Sequence, residues 1–102
     1  MTTSDRTDVE VPEDLVRRIK AVLHQRLEPY GLDRVDVFPT EDHDGDPILM
    51  VEAHYAESDR GVDSRETYAA GKDIRRIVRE MGETRFPHIR HLFAENQKVP
   101  AA

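Results

Sequence analysis

Glu52 and His54 stand two residues apart in the run from Pro47 to Glu57. If that run is extended, both side chains leave the same side of the strand, because successive side chains alternate with period two. A carboxylate beside an imidazole can work as an acid–base pair, or it can supply two ligands to zinc. His88, in a later extended run, is the candidate third member. His88 and His91 are three apart, a spacing that shares a face on a helix and splits across a strand. No nucleophile, glycine-rich phosphate loop or second carboxylate at a recognised spacing accompanies the trio, so the sequence holds no catalytic signature. Surface or interface histidines are the plainer reading of all five.

Two other stretches invite chemistry. Asp42-His-Asp-Gly-Asp46 offers oxygen ligands on a tight turn, as calcium requires. With Asp42 in the first position of an EF-hand loop, however, Pro47 falls where glycine is needed and Ala53 where the closing glutamate is needed. The stretch reads as a solvated hairpin turn. Arg65, Lys72, Arg75, Arg76 and Arg79 give the second predicted helix a basic side that could meet phosphates. Glu66, Asp73 and Glu80 interrupt it, which favours a salt-bridged, solvated helix.

Composition narrows the classes. The 102 residues carry 15 Lys and Arg against 21 Asp and Glu, a formal charge of −6. Sequence-independent phosphate binding needs positive charge, so general nucleic-acid binding is not expected. The absence of cysteine excludes disulfides, thiolate nucleophiles and cysteine-ligated metal. No apolar run reaches membrane-spanning length, and no charged-then-apolar signal opens the chain. These features describe a cytoplasmic protein, bacterial in style, with no expected cofactor. The domain should span 12–94, between a polar leader over 1–11 and a polar tail over 95–102.

The elements follow from periodicity. Pro12, Glu13 and Asp14 open a helix whose stripe is Leu15, Val16, Ile19, Val22, Leu23, Leu27 and Tyr30, closed by Gly31. Arg34 to Pro39 is a short strand, ended by its proline. Asp44-Gly45 is a hairpin signal leading into the central strand. Asp63 caps a second helix, with Glu66 placed for a capping box, Thr67, Ala70, Gly71, Ile74, Ile77, Val78 and Met81 on its apolar side, and Gly82 closing it. Phe86 to Ala94 is the third strand. The expected fold is α+β in the order α-β-β-α-β: a two-layer sandwich with both helices on one face of a three-stranded sheet. Two domain types share part of this order. KH-type domains need a Gly-x-x-Gly loop, and the small scaffold of iron–sulfur assembly needs Cys-x-x-Cys. Neither motif is present.

One face of such a sheet stays open. By parity it carries Asp36, Phe38, Ile48, Met50, Glu52, His54, His88, Arg90 and Leu92. Four of these are large and apolar, more than an idle surface carries. Phe38, Ile48, Met50, Glu52, His54, His88, Arg90 and Leu92 are therefore the expected binding surface of a non-enzymatic interaction module. The partner would be a second copy or another protein, as for a regulatory or neutralising subunit. The alternatives are nucleic-acid binding through the second helix and a small metal-dependent or acid–base enzyme built on Glu52, His54 and His88.

Overall fold

The computed structural model describes residues 10–56 and 61–94. Most of the leader and all of the tail expected from composition lie outside these residues, as does most of the loop after the central strand. Helix α1 (Glu13–Leu27) begins directly after Pro12, whose carbonyl accepts the first helical N–H, from Val16, and whose extended ψ of 139° sets the entry. Leu15, Ile19, Leu23 and Leu27 recur every four residues and are all buried, while Val16 and Val22 flank the stripe half-buried. The helix stops at Leu27, and Glu28–Tyr30 tightens into a 3-10 turn containing Pro29. Gly31 then reverses the chain at φ 95°, a left-handed conformation that glycine adopts without a Cβ clash.

Strand β1 (Leu32–Glu41) is longer than expected and runs straight through Pro39, which pairs with Leu49. The correction has a plain cause. The strand order is β1-β2-β3, so β1 is an edge strand, where a missing N–H costs no ladder bond on the open side. The register slips between Leu32 and Arg34. This bulge lets Leu32 and Val35, an odd spacing, both turn inward and be buried. β1 pairs antiparallel with β2 (Pro47–Tyr55) across a turn organised by Asp42. The Asp42 carboxylate accepts the N–H groups of Asp44 and Asp46, each at 2.9 Å, and Gly45 takes φ 88°. Backbone hydrogen bonds, led by that from Asp46, hold the Asp42 carboxyl below its usual range. One of the oxygens that a calcium reading required, Asp42 Oδ1, is thus committed to the backbone.

Helix α2 (Ser64–Glu80) starts at Asp63, whose side chain accepts the Arg65 N–H at 2.8 Å. The expected capping box does not close: Glu66 reaches across to Arg26 instead, at 3.2 Å. Arg26 also holds Asp73 at 2.7 Å, so one guanidinium ties α1 to α2. Burial pushes the Asp73 carboxyl up, but its hydrogen bonds from Arg26 and Arg76 outweigh that and hold it below the usual range. At the far end, Gly82 at φ 77° donates to Arg79 and Glu83 donates to Val78, the paired bonds of a Schellman cap. Met81, expected on the buried stripe, is exposed there. Arg85 is buried in the following loop and fixed by Glu83 at 2.7 Å. β3 (Phe86–Phe93) then pairs parallel with β2.

The buried stripes of both helices join one cluster with Leu32, Val35, Leu49, Val51, Ala53 and Tyr55 of the sheet, with Val37, Ile89 and Phe93 packed against it. Val11 also packs on this cluster. His91 lies on the same side of the sheet, where its Nδ1 is hydrogen-bonded to the Tyr55 hydroxyl oxygen at 2.8 Å and Phe93 stacks on the Tyr55 ring. Burial pushes the Tyr55 hydroxyl up to about 12 and depresses the His91 imidazole.

Two predictions follow from this packing. A Cβ on Gly71 would meet Ile89 Cδ1 at 3.7 Å and Arg75 Nη1 at 3.6 Å, ordinary contacts. Gly71→Ala should therefore raise the unfolding free energy by about 0.5–1 kcal/mol through helix propensity, measured by urea denaturation. Because the native state holds His91 neutral below its ordinary value of 6.5, the unfolded chain binds the extra proton. Stability from this residue is complete above pH 6.5 and is lost as pH falls through the depressed native value. Urea midpoints should drop from pH 7.5 towards pH 5.5, and His91→Gln should flatten that decline.

Candidate functional site

The side of the sheet turned away from the core cluster is ordered by register into four cross-strand rows. Arg34, His54 and Leu92 form the first, Asp36, Glu52 and Arg90 the second, Phe38, Met50 and His88 the third, and Thr40, Ile48 and Phe86 the fourth. The parity assignment of the sequence therefore places all eight expected binding residues on one side. Their availability differs. Phe38 is 37% exposed, His88 and Arg90 are exposed, and Met50 and Leu92 are half-buried. Ile48 is only 4% exposed and has little surface left to offer a partner.

The surface divides into a charged end and an apolar end. At the apolar end Phe86, 55% exposed, meets the His88 ring edge-on with centroids 5.4 Å apart. At the charged end His54 Nε2 lies 3.1 Å from Asp36 Oδ2 and 3.5 Å from Glu52 Oε1. Arg34 reaches into the same group, with Nη2 3.2 Å from His54 Nε2 and Nε donating to Asp36 Oδ2 at 3.2 Å. Arg90 Nη1 donates to the outer Glu52 oxygen, Oε2, at 3.3 Å. The Glu52 and His54 side chains are each 18% exposed, so both are substantially shielded from water.

Among the described residues, the metal-ligating groups that converge are Asp36, Glu52 and His54. The expected trio of Glu52, His54 and His88 is thus assembled only in part. His88 sits opposite Met50 and turns its ring to Phe86, and Asp36 takes the third place. Parity places Asp36 on this side, and counting the hairpin back from Glu41 opposite Pro47 sets it directly across from Glu52. Phe86 was missed, although the parity that assigns His88 and Arg90 outward assigns Phe86 with them.

The basic side of α2 is partly neutralised. Arg76 pairs with Asp73 and Glu80, Arg65 with Asp63, and Lys72 lies over the Tyr68 ring at 5.6 Å. Among the described residues no helix is long and apolar enough to cross a membrane. The chain matches no protein-family model, no curated protein and no solved structure.

Exposed ion pairs add little stability, because solvent screens them and ordering two long side chains costs entropy. A double-mutant cycle on Glu52→Gln and Arg90→Gln, read by thermal or urea denaturation, should return a coupling below about 1 kcal/mol.

Proposed function

We propose that the protein is a non-enzymatic interaction module that pairs with a second copy of itself through the outward side of its sheet. The observation that carries this reading is the apolar end of that side. Phe38 and Phe86 stay exposed on the two edge strands, with Met50 beside Phe38 in the same row on the central strand. Water contact at such a cluster is unfavourable, and covering it releases free energy in proportion to area.

The charges favour a second copy as occupant. Arg34 and Arg90 balance Asp36 and Glu52 on this side, whereas the chain as a whole carries −6. A patch holding both signs beside an apolar end is suited to a two-fold interface, in which each surface must complement itself. A strongly acidic or basic partner would gain nothing from so balanced a surface. An unrelated protein seated on the same side, as for a regulatory or neutralising subunit, is the alternative occupant. Nucleic-acid binding through α2 has less support, given the overall charge and the ion pairs of Arg76.

Light scattering across a concentration series should return twice the monomer mass. Met50→Asp and, on the edge strand, Phe38→Asp should each return the monomer mass with an unchanged far-ultraviolet circular dichroism spectrum. Loss of such an apolar anchor weakens association by about 1–4 kcal/mol, or roughly five-fold to a thousand-fold in Kd. A wild-type protein that stays monomeric at every concentration would remove self-association and leave the heterologous partner.

A further inference from the structure

We propose that Asp36, Glu52 and His54 form a binding site for a divalent first-row transition-metal ion. The site lies within a single chain, so it does not rest on self-association.

One ligand atom from each residue falls within 4.8 Å of the other two. The two distances from His54 Nε2, 3.1 and 3.5 Å, match a shared coordination sphere. Metal–ligand bonds of about 2.0–2.2 Å set neighbouring ligand atoms roughly 3–3.5 Å apart. All three side chains stand on the paired strands β1 and β2, with Asp36 directly opposite Glu52. Ligands on a hydrogen-bonded hairpin are held more firmly than ligands on a loop.

Guanidinium nitrogens only donate and carboxylate oxygens only accept, while His54 Nε2 offers either one N–H or one lone pair. With a lone pair, Nε2 can accept from Arg34 but turns that lone pair towards two carboxylate oxygens. With a proton, it can donate to Asp36 but then faces the Arg34 donor at 3.2 Å. Arg34, Asp36 and Glu52 thus compete for the single hydrogen-bonding position on Nε2. A cation in the place of the Arg34 nitrogen would satisfy the imidazole and both carboxylates together.

The arginines then have separate roles. Arg90 binds Glu52 through Oε2 and leaves Oε1 directed at His54, as an outer hydrogen bond orients a ligating carboxylate. Arg34 occupies the ligand atoms themselves, and its side chain, 61% exposed, has room to swing away. It is the charge that a metal ion displaces. One imidazole with two carboxylates suits zinc or manganese better than calcium, which takes oxygen ligands alone.

The test is calorimetric titration of the full chain with Zn2+, and separately with Mn2+, in a non-coordinating buffer. One ion per chain should bind. His54→Ala, Asp36→Asn and Glu52→Gln should each weaken binding at least ten-fold, while His43→Ala and His88→Ala leave it unchanged. Arg34→Ala should tighten it several-fold, an effect that a purely structural ion-pair cluster would not produce. The two carboxamide substitutions are isosteric, and thermal melts of the metal-free proteins verify the fold. The proposal is overturned if neither ion binds the wild-type chain, or if affinity survives both Asp36→Asn and Glu52→Gln. It is equally overturned if the His43 or His88 variants abolish binding, or if Arg34→Ala weakens it.

Discussion

The register of the β1–β2 hairpin is the constraint on which the rest depends. Asp42 sets it by accepting two backbone N–H groups within its own turn, which fixes Glu41 across from Pro47. Every later pair follows by count: Phe38 meets Met50, Asp36 meets Glu52 and Arg34 meets His54. Because side chains alternate, a slip of one residue would bury the charges and expose Leu49, Val51 and Ala53. The buried helix stripes enforce the same choice, since only one side of β2 can complete their core.

The two sides of the sheet solve different problems. On the core side, apolar packing is continuous, and the polar groups present are paired, as Tyr55 with His91. On the outward side, large apolar groups remain in water at one end, while five titratable or cationic side chains crowd together at the other. Neither arrangement is explained by the stability of an isolated chain. Exposed ion pairs contribute little, and exposed phenylalanines leave favourable burial unused. The outward side is therefore where both proposals place function, apolar association at one end and metal binding at the other.

The elements were legible in the sequence wherever one local signal dominated. Four-residue spacing marked α1, Asp63 and Gly82 marked the ends of α2, and Asp44-Gly45 marked the hairpin. Local reading failed where a tertiary neighbour supplied the alternative. Pro39 looks like a terminator, but an edge strand tolerates it. Glu66 looks like half of a capping box, but Arg26 on another helix takes its carboxylate. Leu32 breaks the alternation of β1, and a bulge repairs it.

By itself the sequence determined the order of elements, the acidic balance, the absence of thiol chemistry and the side of each strand that faces the core. These properties depend on residue type and on short-range periodicity, which a single chain displays openly. The tertiary structure alone decided that Asp36, not His88, joins Glu52 and His54, and that Ile48 is already buried while Phe86 is exposed. The reason is that parity assigns a side but not a neighbour. Neighbours across a sheet are set by strand order and register, and those emerge only when the hairpin, the crossover helix and the common core close together.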